Sequence, residues 1–122
     1  EMVSTVLYIE DDPNNRALIR RLLTAYGFEV LESDNALDGI DMAQANHPDL
    51  ILMDISMPGM DGLMATQKIR ETEGLSDIVV VALTANAMQG DCEMVLAAGC
   101  DGYISKPIDV DTFIDEISGY IR

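Results

Sequence analysis

Ile78-Val79-Val80-Val81-Ala82-Leu83-Thr84 is the most apolar stretch of the chain and the one that decides its fold. A strand with one face in water alternates apolar and polar side chains. This stretch does not alternate, so both of its faces are buried. It is short for a helix, and the β-branched residues 78–81 favour extended backbone. A doubly buried strand belongs inside a sheet that carries helices on both sides. Leu50-Ile51-Leu52-Met53 has the same character and ends at Asp54. Thr5-Val6-Leu7-Tyr8-Ile9 reads as another buried strand and runs straight into Glu10, Asp11 and Asp12. Weaker strands read at residues 29–33 and 102–104.

Between these segments the period becomes helical. Over residues 13–25, Leu18, Ile19, Leu22, Leu23 and Tyr26 form an inward stripe, with Arg16, Arg20 and Arg21 off it. Pro13 suits a first helical turn and Gly27 its end. Residues 36–46 form a helix with Leu37, Ile40 and Ala43 inward, stopping before Pro48. Residues 56–62 are loop, broken by Pro58, Gly59 and Gly62, and Asp61 caps a helix over residues 63–72. Met88, Cys92 and Val95 follow helical spacing. Gly90 weakens the start of that helix by about 1 kcal/mol relative to Ala, so a short or mobile helix is expected. Phe113, Ile114, Ile117 and Ile121 stripe a final helix. Five βα units with right-handed crossovers predict one domain over residues 1–122. Its architecture is a flavodoxin-like, doubly wound α/β sandwich of three layers, with a parallel sheet in the order 2-1-3-4-5.

Composition narrows the function. The 122 residues are 48% hydrophobic and 24% charged, the balance of an ordinary globular protein rather than of disorder. With 7 Lys and Arg against 22 Asp and Glu, the net charge is −15. That charge opposes docking on nucleic acid or on an anionic membrane, and favours cations or basic partner surfaces. Cys92 and Cys100 are read as two reduced thiols, partly buried. No apolar run approaches the roughly 20 residues that cross a bilayer, and no signal peptide is visible, so a soluble, cytoplasmic protein is expected. Glu1 precedes Met2, so the native chain is expected to start at Met2 or further upstream in a longer protein.

In a doubly wound sheet, ligands bind beyond the carboxyl ends of the strands. There the sequence places Glu10, Asp11 and Asp12, then Asp54, then Thr84, and then Ser105, Lys106 and Pro107. Gathered carboxylates repel, and the repulsion is relieved by protonation, by Lys106 or by a cation. A hard divalent ion suits oxygen-only ligands. Magnesium keeps several waters and so leaves room for a phosphate oxygen. No His or Cys lies among these residues, which argues against zinc. A carboxylate beside such an ion can take up a phosphoryl group as an aspartyl phosphate. Asp54, alone at the middle strand end, is the natural nucleophile. Asp11 and Glu10 would hold the metal, and Thr84 and Lys106 would grip the phosphate.

These residues resemble the receiver domain of response regulators, the phospho-accepting half of two-component signalling. The resemblance spans essentially the whole chain. It rests on Leu7-Tyr8-Ile9-Glu10-Asp11-Asp12-Pro13, on Met53-Asp54-Ile55-Ser56-Met57-Pro58-Gly59-Met60-Asp61-Gly62, on Ala82-Leu83-Thr84-Ala85 and on Tyr103-Ile104-Ser105-Lys106-Pro107. Thr84 and Lys106 follow Asp54 by 30 and 52 residues, as in the family. The resemblance implies that Asp54 is phosphorylated. It implies that Asp11 binds Mg²⁺ directly (with Mn²⁺ as the substitute ion), Glu10 through water, and Ser56 through its backbone carbonyl. It makes Thr84, followed by Ala85, the switch hydroxyl segment, Tyr103 the switch aromatic and Lys106 a phosphate contact. The Lys106–Pro107 peptide would be cis. Ser56 and Asn86 match positions that tune phosphate lifetime. The chain has Glu10-Asp11 where an Asp-Asp pair is common, and Asp12 is read as a helix N-cap.

The implied partners are a sensor histidine kinase or a histidine phosphotransfer protein as donor, and a downstream protein target. The donor is expected near the first helix, where Arg16, Arg20 and Arg21 lie. The chain reads as a stand-alone regulator or as a module of a hybrid kinase. Phosphate drawing Thr84 inward would open space for Tyr103 and reshape the face made by the fourth helix, fifth strand and fifth helix. No turnover of a separate substrate is expected. His47, before Pro48, reads as a helix-end residue rather than a phosphodonor. The eight Met residues read as core filler and helix surface rather than a sulfur site, with a soft docking patch of Met57, Met60, Met64 and Met88 as the alternative. An FMN carrier shares the fold, but the chain has no Trp and no phosphate loop after its first strand. A small-molecule phosphohydrolase would need a capping segment. A pseudo-receiver that binds partners without phosphorylation is the alternative reading.

Overall fold

A computed structural model describes residues 3–55, 61–85 and 90–121. Its elements alternate as β1 (Thr5–Ile9), α1 (Pro13–Ala25), β2 (Glu29–Ser33), α2 (Ala36–Asn46), β3 (Leu50–Asp54), α3 (Gly62–Glu71), β4 (Val79–Thr84), α4 (Asp91–Ala98), β5 (Gly102–Ser105) and α5 (Phe113–Tyr120). All strand pairs are parallel and the order is β2-β1-β3-β4-β5, the doubly wound arrangement expected from the sequence. Among the described residues no helix is long and apolar enough to cross a membrane.

Strand alternation divides the core into two layers. Leu7, Ile9, Ile51, Met53, Val80 and Ala82 face one way and pack on α2, α3 and α4 through Ala36, Ile40, Ala65, Ile69 and Val95. Val6, Tyr8, Leu50, Leu52, Val81 and Leu83 face the other way, onto Ile19 and Leu23 of α1 and Phe113 and Ile117 of α5. The β3 and β4 runs lack alternation because each of their faces meets a helix layer.

The helix ends follow the local signals. Asp12 caps α1 by accepting the Asn14 N–H at 2.8 Å, and Asp61 caps α3 by accepting the Met64 N–H at 2.9 Å. Asn35, with the same role on α2, accepts the Asp38 N–H. His47 ends α2 in the left-handed region, with φ 46°. Helix α4 has eight residues, follows Gly90 at φ +92° and has no side-chain cap. It is short, as expected. Cys100 is buried, Cys92 is half-buried and neither is in a disulfide.

Some expected core positions are not core. Leu18 is 50% exposed and Tyr26 is also on the surface, so the α1 contact narrows to Ile19 and Leu23, with Leu22 half-buried. On α2, Leu37 is exposed and Ala36 and Gly39 are buried in its place. Gly39 leaves room for Ile9, whose Cδ1 would collide with a Cβ there. Ile40 and Ala43 are buried as expected, and the small residues Ala36 and Gly39 beside them let the helix approach β1. Helix α3 begins at Gly62 and ends at Glu71, one residue before the expected bounds. Strand β4 starts at Val79, and β5 extends to Ser105. Met57, Met60 and Met88 lie outside the described residues, and Met64 is exposed.

Candidate functional site

Each strand of the sheet delivers its next residues to one edge. β1 passes into Glu10 and Asp11, β3 ends at Asp54, β4 at Thr84, and β5 passes into Lys106. Register sets their heights. Ile9 pairs with Met53, Asp54 with Leu83, and Thr84 with Ser105, so the strand ends are level. Asp54 continues the Leu50 and Leu52 face, and Glu10 the Val6 and Tyr8 face; both therefore stand on the α1 and α5 side of the sheet.

The structure brings Glu10, Asp11, Asp54 and Lys106 together. Carboxylate oxygens of the three acids, one from each, lie within 4.8 Å of one another. Glu10 is 1% exposed and Asp54 3% exposed, while Asp11 faces solvent. Lys106 Nζ is 3.1 Å from Asp54 Oδ1 and 3.6 Å from Glu10 Oε1. The Lys106 backbone N–H donates to the Thr84 carbonyl at 2.8 Å, and the Lys106–Pro107 peptide is cis. Two buried carboxylates with one ammonium between them leave a negative excess, open to water through Asp11. Partial desolvation, and then the adjoining Glu10 side chain, hold the Asp11 carboxyl above the ordinary carboxylate range. An oxygen-only donor set with one side in water fits a hard, partly hydrated divalent ion.

Thr84 is buried at the tip of β4, one residue beyond the partner of Asp54, and Ala85 after it is exposed. Tyr103 alternates outward on β5 and is 38% exposed. Hydrogen bonding with the Cys92 side chain is the main influence raising its phenol pKa. Ser56 and Asn86, expected to complete the metal ligands and to border the phosphate, lie outside the described residues.

Sequence reasoning missed the partners of Glu10. The Tyr8 hydroxyl donates to Glu10 Oε1 at 3.0 Å, Asn15 Nδ2 to the same oxygen at 3.4 Å, and the Asp12 N–H to Oε2 at 3.3 Å. Burial, and next the Glu10 charge, push the Tyr8 phenol well above its usual range. The available signal was parity: Tyr8 and Glu10 are two apart on one strand and so share a face. The basic residues of α1 are also engaged. Arg16 Nη1 donates to the Glu10 carbonyl at 2.6 Å, and Arg20 Nη1 pairs with Glu32 at 2.8 Å, leaving Arg21 exposed. Beside this cluster Tyr8, Asn15, Leu18, Lys106, Pro107 and Ile108 line a cleft of about 190 Å³.

A family model described as the response regulator receiver domain matches residues 6–118. The chain belongs to the response regulator receiver family. Among curated relatives of this receiver domain, the polar-differentiation response regulator DivK of Brucella ovis is 43% identical over 120 residues, covering 98% of each chain. DivK of Brucella anthropi is 42% identical with the same coverage. Among solved structures, the receiver domain of sensor histidine kinase PA1611 from Pseudomonas aeruginosa PAO1 is similar at TM-score 0.89 and 33% identity, covering 98% of both chains. That structure is described with a magnesium ion coordinated in its active-site cleft. Chemotaxis protein CheY4 of Vibrio cholerae has TM-score 0.92 at 22% identity, covering 98% of this receiver and 100% of its own chain, a likeness of fold.

Proposed function

We propose that residues 1–122 form one phospho-accepting module that acts as a cytoplasmic signalling switch, with Asp54 as acceptor. The observation that carries this reading is the placement of Lys106 Nζ 3.1 Å from Asp54 Oδ1, while Glu10 and Asp11 offer oxygens within 4.8 Å on the same edge. Glu10, Asp11 and Asp54, with the Ser56 carbonyl, would hold Mg²⁺ or Mn²⁺. The bound ion supplies positive charge against the phosphoryl oxygens.

In the proposed reaction an Asp54 carboxylate oxygen attacks the phosphorus of a partner's phosphohistidine. The O–P bond forms as the N–P bond breaks, and the imidazole nitrogen keeps the electron pair. The transition state is loose, so the work of the chain is placement and charge. Lys106 neutralises a phosphoryl oxygen, and the Thr84 hydroxyl and Ala85 N–H donate to others. Ser56 and Asn86 border the approach of a hydrolytic water and set the lifetime of the phosphate.

Phosphate on Asp54 then biases two arrangements of the molecule. Thr84 moves toward it, Tyr103 turns from its exposed position into the vacated space, and the face of α4, β5 and α5 changes the partner it binds. The donor is a sensor histidine kinase or a histidine phosphotransfer protein, and the receiver of the signal is a further protein.

Incubation with acetyl phosphate and Mg²⁺, read by intact-mass spectrometry, tests this. A gain of one phosphoryl group that is lost in Asp54→Asn and in EDTA is expected. No gain, with partner binding unchanged by beryllofluoride, would overturn it in favour of a pseudo-receiver.

A further inference from the structure

We propose that Tyr8 and Asn15 are positioning residues for the divalent-ion site and act through Glu10. The inference rests on the reading that Glu10 serves a metal ion. Glutamate carries its carboxylate one methylene and one rotatable bond further from the backbone than aspartate. An unrestrained glutamate samples several rotamers, and an ion must then immobilise it on binding.

Here the carboxylate is already immobilised, from three elements. From β1, Tyr8 stands on the same face two residues earlier, and its hydroxyl reaches Oε1 at 3.0 Å. From the first turn of α1, Asn15 Nδ2 reaches the same oxygen at 3.4 Å, and the Asp12 N–H at the helix cap holds Oε2 at 3.3 Å. From beyond β5, Lys106 Nζ stands 3.6 Å from Oε1. The tyrosine ring lies in the α1 and α5 core layer with Ile19 and Leu83, so the ring anchors the hydroxyl rather than the reverse. A phenylalanine would fill the same space and leave Oε1 without this donor. Donors behind a metal ligand fix its orientation, and their loss weakens the ion rather than the fold alone.

Mn²⁺ affinity of the whole chain, read from the electron paramagnetic resonance of the free ion, tests the inference. Tyr8→Phe should bind about tenfold more weakly than wild type, and Asn15→Ala about three- to fivefold more weakly. In a Glu10→Asp background the Tyr8→Phe effect should fall below about twofold, because the shorter carboxylate no longer meets the phenol. A Tyr8→Phe loss of equal size in both backgrounds would overturn the proposal. So would affinities of Tyr8→Phe and Asn15→Ala both within about twofold of wild type. Asn15 is half-buried on α1, so Asn15→Ala decides the matter alone if Tyr8→Phe does not fold. Absence of Mn²⁺ binding by the wild type would instead overturn the metal-site reading beneath it.

Discussion

Lys106 Nζ lies 3.1 Å from Asp54 Oδ1 although 52 residues separate the two in the chain. Parallel pairing of β3, β4 and β5 closes that distance, and the ammonium is the cation standing between Asp54 and Glu10. Its removal leaves two buried carboxylates facing each other. Lys106→Met should therefore lower stability by about 1–3 kcal/mol without divalent ions. Saturating Mg²⁺ should return most of that loss, because the ion replaces the missing charge. Urea melts of wild type and variant, with and without Mg²⁺, check this. An equal Mg²⁺ increment in both proteins would contradict it.

The Asp11 carboxyl, raised above its unfolded value of 3.8 by desolvation and then by Glu10, gives a pH dependence with a definite sign. An acid whose folded pKa is raised binds its proton more tightly in the native state. Its contribution is unfavourable at neutral pH, is relieved as pH falls through the raised value, and is fully relieved below 3.8. Asp11→Asn should accordingly be more stable than wild type near pH 7. The exposure of the group keeps the difference under about 1 kcal/mol. The difference should shrink to nothing in acid. Thermal melts from pH 3 to pH 7, roughly the span over which carboxyls titrate, measure it. A difference that grows on acidification would refute the assignment.

Gly62 stands against the strand end that carries Asp54. A Cβ there would lie 2.6 Å from Ile55 Cα and 2.7 Å from the Asp54 carbonyl oxygen, both backbone atoms that have no rotamer to yield. Gly62→Ala should cost about 1–3 kcal/mol and also weaken Mn²⁺ binding severalfold, since Asp54 must shift. Loss of stability with undiminished ion affinity would show that the strand end absorbs the methyl without moving the carboxylate.

Arg70 binds far from the acid cluster. Its Nε donates to the Gly99 carbonyl at 2.8 Å, its Nη1 to the Ser76 and Ile78 carbonyls, and its Nη2 to Asp101 at 2.8 Å. The side chain thereby ties the end of α3 to the turn between α4 and β5. Arg70→Ala should cost about 2–4 kcal/mol in urea melts. Mn²⁺ affinity should stay within about twofold, as the Arg70 partners Gly99, Ser76, Ile78 and Asp101 are none of the acid-cluster residues.

The order of elements was legible in the chain because its signals are local. Apolar runs without alternation at residues 50–53 and 78–83, caps at Asp12 and Asp61, and breaks at Gly27 and Pro48 each act within one or two turns of backbone. Five alternating units with right-handed crossovers then left few parallel-sheet arrangements, of which 2-1-3-4-5 is the one formed. Acids at the ends of β1 and β3 and a lysine after β5 could also be read directly, because a strand end is a position in sequence. Tertiary structure alone decided depth and partners. Leu18 and Leu37 lie on helical stripes yet face water, because the width of sheet beneath a helix is not written in its period. Glu10 is buried and Asp11 exposed although they are neighbours, because strand parity sends one under α1 and the other to solvent. The Tyr8 and Asn15 contacts to Glu10 depend on distances of a few ångströms between β1 and α1, and those exist only once the helix has packed on the sheet.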